Sequence, residues 1–218
     1  MRMILDDKTA IGYMRVDKNG WFTATPITAE LKKLFGEAET EIIYPIFPTV
    51  FTPIIEEKAY YDAILDNVKE GDKVLVVGCG AGSDVWSAWL KAKTMIYTID
   101  INPQAILNVY ATARMGGFEV RPIQGDIREM RMPKDFKDFD YIVGNTPFLN
   151  YPIPLEDNNY HDGDDSTVTK AFIKLLHSLL KKDGRAIMVG TEETEEYINL
   201  PMEKSEYASF TVYMLKGA

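Results

Sequence analysis

The chain is poor in the residues that carry metal and redox chemistry. One cysteine, Cys79, and two histidines, His161 and His177, stand among 218 residues. A lone cysteine forms no internal disulfide, and this set does not make a Cys/His zinc site, so an intracellular protein with no metal is expected. Positive charge is also short: 24 Lys and Arg against 33 Asp and Glu leave a formal charge of −9. That balance argues against broad, salt-driven adhesion to nucleic acid, and no run of like charge reads as a basic arm. No apolar run approaches a membrane span, and no repeat or low-complexity segment occurs. The opening Met1-Arg-Met-Ile-Leu-Asp-Asp-Lys8 has too short an apolar stretch for a secretory signal. A cytoplasmic protein with no membrane partner is expected, of a length suited to one α/β domain and a small appendage.

What the chain does contain centres on Val74-Leu-Val-Val-Gly-Cys-Gly-Ala-Gly82. An unbroken apolar run is the mark of a strand covered on both faces. The glycines at its end allow a sharp turn and a close ligand approach. Ser83-Asp84 then opens a helical pattern through Val85, Ala88, Trp89 and Leu90. The helix start adds free N–H groups and a partial positive charge of roughly half a unit. Strand, glycine turn and helix together form a nucleotide cradle.

Other segments are read around it. Thr9–Val16 and Trp21–Thr25 form a hairpin about the turn Lys18-Asn19-Gly20, followed by a short helix Ala29–Phe35. This pair is either a separate appendage or an extension of the core sheet, and the domain division is drawn at 1–45 and 46–218. Glu41–Phe51 is apolar but broken by Pro45 and Pro48, so it is expected to be extended and irregular rather than a central strand. A helix is expected from Pro53 to about Val68. Beyond it come strand Lys73–Gly78, helix Gly82–Lys91, strand Met95–Asp100, helix Pro103–Met115, strand Phe118–Ile123 and strand Asp140–Gly144. Helix Ser166–Lys182, stopped by Gly184, leads to strand Arg185–Gly190, and the tail offers Glu196–Leu200 and a firmer strand at Tyr207–Leu215. Strands alternating with helices imply a doubly wound, mostly parallel sheet with its ligands at the strands' carboxyl ends.

The next two strand tips are acidic. Asp100 ends one strand, where a carboxylate can accept both hydroxyls of a ribose; the plainer role is a cap on the helix at Pro103. Asp126 follows on the turn Gln124-Gly125-Asp126-Ile127, where it can accept from an adenine amine with Ile101 and Ile127 on either side of the ring. The glycines Gly78, Gly80 and Gly82 read G-x-G-x-G, not the G-x-G-x-x-G of a dinucleotide fold, which disfavours an oxidoreductase.

On VVGCGAG at 76–82, IDINPQAI at 99–106 and QGDI at 124–127, the chain resembles the class I S-adenosylmethionine-dependent methyltransferases. The resemblance runs from about Ile46 to Val189. It implies a seven-stranded sheet with one reversed strand, the last, and S-adenosylmethionine as cofactor. It places Gly78, Gly80 and Gly82 against the methionine and ribose, Asp100 on the ribose and Asp126 on the adenine amine. Many members carry an acid where this chain has Val76; Asp84 or a backbone carbonyl is then left for the methionine ammonium.

The fourth strand ends Asn145-Thr146-Pro147-Phe148, which resembles the (N/D)-P-P-(Y/F) signature of methyltransferases acting on planar nitrogens, with Thr146 in place of proline. Those include the release-factor glutamine, rRNA and adenine-N6 enzymes. The Asn145 oxygen and the Thr146 carbonyl can accept the two N–H bonds of an amide or aromatic amine, Pro147 stiffens the turn, and Phe148 offers a flat face. The plainer reading is a polar turn with a core phenylalanine. Upstream, Thr52 in Val50-Phe51-Thr52-Pro53 is assigned to the cofactor, with a helix N-cap as its simpler role. The loop Leu149–Thr169 is acidic, with no Lys or Arg, and disfavours a polynucleotide acceptor relative to a protein or small molecule. Three functions follow: methyl transfer to a planar nitrogen of protein glutamine or a nucleobase, a weakly active or inactive methyltransferase-like subunit supporting a partner, and a small-molecule methyltransferase.

Overall fold

The computed structural model describes residues 12–16, 22–26, 42–51, 53, 57–147, 166–206 and 210–217. Thr52, Phe148, the acidic stretch 149–165, the turn at 17–20 and the expected helix at 29–35 lie outside the described residues.

Strands β1 (Gly12–Val16), β2 (Phe22–Pro26) and β3 (Ile42–Ile46) pair antiparallel in the order β2-β1-β3. The hairpin therefore does not extend the core sheet; it joins residues 42–46 in a sheet of its own. Pro45 sits in β3 at the edge of that sheet, where a missing N–H is tolerated.

The main sheet has seven strands. In chain order the elements are α1 (Lys58–Asn67), β4 (Val74–Val77), α2 (Ser83–Ala92), β5 (Ile96–Asp100), α3 (Pro103–Gly116), β6 (Val120–Gln124) and β7 (Phe139–Gly144). They continue with α4 (Thr167–Leu179), β8 (Leu180–Gly190), a 3-10 turn (Glu192–Tyr197), β9 (Met202–Glu206) and β10 (Thr211–Lys216). The strand order is β6-β5-β4-β7-β8-β10-β9. Strands β4 to β8 pair in parallel, while β10 runs antiparallel to both neighbours. The expected single reversed strand, last in the chain, is β10.

All four residues of β4 are at most 1% exposed. Val74 and Val76 pack with α1, α2 and α3, whereas Leu75 and Val77 pack with α4. The apolar run lacks alternation because both of its faces are interior.

Three boundaries differ from expectation. Pro53 is not helical, and α1 begins at Lys58. Helix α4 ends at Leu179, because Leu180 already pairs with Phe139. Gly184 is not a helix stop but lies inside β8, where a Cβ would stand 2.8 Å from the Phe139 carbonyl. No strand forms over Glu196–Leu200: Thr191 and Thr194 close a capping box around the 3-10 turn instead. The strand lies further on, at β9, whose five residues are all exposed and so show no alternation to read.

Candidate functional site

The order β6-β5-β4-β7 brings four strand tips side by side. Gly78, Gly80 and Gly82 after β4 all have positive φ, of 74, 44 and 85°. Side chains rarely tolerate this region, which is why the turn requires glycine. The tips are stitched together: Gly78 N–H donates to the Ile99 carbonyl at 2.8 Å, and Gly125 N–H to the Asp100 carbonyl at 2.9 Å. Gly80 N–H donates to Asp100 Oδ2 at 3.0 Å, and Asn102 N–H to Asp100 Oδ1 at 2.8 Å. Burial nevertheless holds the Asp100 carboxyl above its ordinary range. The cap on α3 is Asn102, whose Oδ1 accepts from Gln104 N–H at 2.9 Å. Asp100 is thus not needed as the cap.

The glycine turn is also held from behind. Asn108 Nδ2 and Thr112 Oγ1, one turn apart on α3, both donate to the Ala81 carbonyl, at 3.0 and 3.2 Å. The Phe47 amide donates in turn to Asn108 Oδ1 at 2.9 Å. Both α3 side chains are fully buried. Above the turn, Phe51 Cβ lies 4.0 Å from where a Gly80 side chain would begin. Cys79 is buried and its thiol is pushed up by that burial, which removes it as a nucleophile.

Asp126 follows β6 but is engaged by Arg128, whose Nε and Nη2 reach its two oxygens at 2.9 and 2.6 Å. That pair depresses the Asp126 carboxyl. Ile127 is half-buried against the α4-side core, and Ile101 is 59% exposed.

At the tip of β7, the Asn145 carbonyl and Thr146 Cγ2 each lie 3.8 Å from a Cβ placed on Gly78. Pro147 is half-buried beside them. Thr146 is 3% exposed, and its Oγ1 has no hydrogen-bond partner among the described residues. Asn145 Nδ2 donates to Glu57 Oε1 at 2.5 Å. Glu57 Oε2 accepts from Tyr61 Oη at 3.2 Å, and Tyr61 Oη meets Ser83 Oγ at 2.9 Å. Alongside, Tyr60 Oη donates to Asp84 Oδ2 at 3.5 Å. Asp84 is 4% exposed, and burial pushes its carboxyl up to about 8. Both tyrosines are raised well above their ordinary value, first by burial and then by the neighbouring acids.

Glu57, Tyr61, Asn108 and Thr112 escaped the sequence reading. A signal for Glu57 existed: it stands three, four and seven positions before Tyr60, Tyr61 and Ile64, at the N-cap of α1 in line with its buried stripe. Asn108 and Thr112 are likewise polar residues at i, i+4 on an inward face.

A family model described as a methyltransferase domain matches residues 68–216. The chain belongs to that family. Solved structures agree on the fold. TrmN from Thermus thermophilus matches at TM-score 0.55 and 19% identity, over 77% of this chain and 49% of that one, so this chain spans about half its length. A putative rRNA methylase from Clostridium thermocellum matches at 0.55 and 18%, over 76% and 100%. A ribosomal protein L11 methylase from Lactobacillus delbrueckii subsp. bulgaricus matches at 0.58 and 16%, over 79% and 84%. No curated protein matches the chain by sequence.

The domain is of the class I kind and implies S-adenosylmethionine as cofactor. The residues fit it: among the described residues only Phe51 comes near a would-be side chain on Gly80, and Asp100 is a half-buried carboxyl on the neighbouring tip. No acid replaces Val76, which is fully buried in the core. Among the described residues no helix is long and apolar enough to cross a membrane.

Proposed function

We propose that the protein transfers the methyl group of S-adenosylmethionine to a planar nitrogen held by Asn145, Thr146 and Pro147, with Phe148 as the flat face beside it. The observation that carries this reading is that a Cβ placed on Gly78 would meet the Asn145 carbonyl at 3.8 Å and Thr146 Cα at 3.9 Å, which sets the turn after β7 beside the glycine turn. An amide or aromatic amine has a delocalised lone pair and is a poor nucleophile. Two acceptors on its N–H bonds, the Asn145 side-chain oxygen and the Thr146 carbonyl, localise that density and fix the nitrogen in line. No strong base is needed, since the proton leaves after methyl transfer.

For the cofactor, the reading assigns Gly78, Gly80 and Gly82 to the methionine and ribose, Asp100 to the ribose hydroxyls, and Asp126, Ile101 and Ile127 to the adenine, with Thr52 nearby. Asp84 takes the methionine ammonium, replacing the acid absent at Val76. The acidic stretch 149–165 favours a protein glutamine or small molecule over a polynucleotide. The named neighbours act on rRNA and a ribosomal protein, which bracket the acceptor classes without choosing between them.

Labelled methyl transfer to a panel of glutamine peptides, adenine-containing RNA and small carboxamides tests this. Wild-type protein is expected to methylate one class, and Asn145→Ala to lose roughly 100-fold or more in kcat while still binding S-adenosylhomocysteine. Failure of the folded protein to bind either form of the cofactor would end the reading. Val76 and Thr146 favour, as second reading, a subunit that binds cofactor and supports a partner; turnover by the isolated chain removes it.

A further inference from the structure

Glu57 is an expensive residue for the place it occupies. It stands at the N-cap of α1, in line with the helix's buried stripe, and is 6% exposed. Burying a carboxyl group is costly unless its oxygens are hydrogen-bonded, so its place must be explained by its partners. Packing therefore does not account for it. Its hydrogen bonds do: one oxygen accepts from Asn145 Nδ2, the other from Tyr61 Oη, which also meets Ser83 just after the glycine turn.

We propose that Glu57 is a positioning residue, which fixes the Asn145 side-chain amide so that Oδ1, and not the NH2 group, is offered to the methyl acceptor. This rests on the reading of Asn145 as the acceptor-binding residue. A terminal amide turns end for end at little cost when its partners are indifferent. Glu57 is not indifferent: Tyr61 donates to one of its oxygens, and the other accepts from the Asn145 amide. It takes the NH2 end and leaves the oxygen as the acceptor for the incoming nitrogen's N–H. The relay through Tyr61 to Ser83 ties that choice to the cofactor turn. The arrangement also sorts acceptors by chemistry. A neutral carboxamide or exocyclic amine brings an N–H to Oδ1, whereas a thiolate or phenolate brings none and meets only the lone pairs of that oxygen.

The test uses Glu57→Gln and Glu57→Leu in the full chain. With 15N-labelled protein, the Asn145 NH2 pair is assigned by its loss in Asn145→Ala. The two protons are expected to be widely split in wild type, one shifted downfield by the carboxylate, and to converge in both Glu57 variants. Thermal stability is expected to be nearly held in Glu57→Gln and lowered in Glu57→Leu, which leaves the Asn145 NH2 without its acceptor. Both should keep S-adenosylhomocysteine affinity within about twofold and lose roughly 10- to 100-fold in kcat, with no further loss when combined with Asn145→Ala. Unchanged amide resonances, or an equal loss of activity in the Asn145→Ala background, would overturn the inference. If wild type methylates no carboxamide or amine, the reading of Asn145 fails, and the amide resonances alone decide whether Glu57 sets its orientation.

Discussion

The Asp100 carboxylate bridges two backbone amides, that of Gly80 on the neighbouring tip at 3.0 Å and that of Asn102 at 2.8 Å. A carboxylate offers about four acceptor sites, so we propose that this group receives a ribose diol while holding the glycine turn in place. Asp100→Asn is expected to weaken S-adenosylhomocysteine binding by about 1.5–3 kcal/mol, or roughly 10- to 150-fold, with little loss of folding. Isothermal calorimetry measures it, and an unchanged Kd would remove Asp100 from the site.

Asp84 gives the free protein a pH signature. Its carboxyl sits at about 8 in the fold, raised first by burial and also by Glu57 and Asp100. Tyr60 and the Val85 amide donate to it. Because the folded value exceeds the unfolded one near 4, the stability from this group is complete below about pH 4 and is lost as pH rises toward 8. Asp100, also raised, acts in the same sense. The melting temperature of the cofactor-free protein is expected to fall between pH 5 and 8, and Asp84→Asn to flatten that slope. On the proposal that Asp84 takes the methionine ammonium, it must ionise to do so, and cofactor binding at pH 7 should release protons. Calorimetry in buffers of different ionisation enthalpy reads this release, and none is expected in the variant.

The glycines of the turn differ in what surrounds them. Gly82 has φ 85°, and a Cβ there would lie 3.0 Å from Thr112 Oγ1. Gly80 has φ 44° and, among the described residues, nothing nearer to a would-be Cβ than 4.0 Å. Gly80→Ala is expected to cost about 1–2 kcal/mol of stability, from backbone conformation alone. Gly82→Ala adds roughly 1–3 kcal/mol of overpacking. Denaturant melts should rank wild type above Gly80→Ala above Gly82→Ala, while Gly80→Ala loses cofactor affinity out of proportion to its stability. Equal stability of the two variants would contradict the packing at Thr112.

Arg128 already grips Asp126, on an exposed stretch where such a pair contributes about 0–1 kcal/mol. Arg128→Ala is accordingly expected to leave stability nearly unchanged and to hold or raise affinity for adenosine-containing ligands. Asp126→Ala should lower that affinity. A fall in both variants would mean that the guanidinium itself contacts the ligand.

The parts of this architecture legible in the sequence were those written by burial and by backbone geometry. Val74–Val77 announced a two-sided strand because every side chain is interior, and Gly78, Gly80 and Gly82 announced the turn because its φ values exclude most other residues. Asp100 and Asp126 stood out as acids at strand tips. Hidden were residues whose role depends on what folds against them from far along the chain. Glu57 meets Asn145 across 88 positions, and Asn108 meets the Phe47 amide across 61. The strand β9 was hidden for the opposite reason: with all five residues in solvent, only its backbone pairing to β10 makes it a strand.

Because Asn108 and Thr112 grip the Ala81 carbonyl from the far side of the turn, the cradle takes its shape from a helix that lies beneath it. Random mutagenesis scored by ligand capture would therefore return hits along the inner face of residues 103–116. A geneticist mapping those hits without the coordinates would draw the pocket in the wrong place.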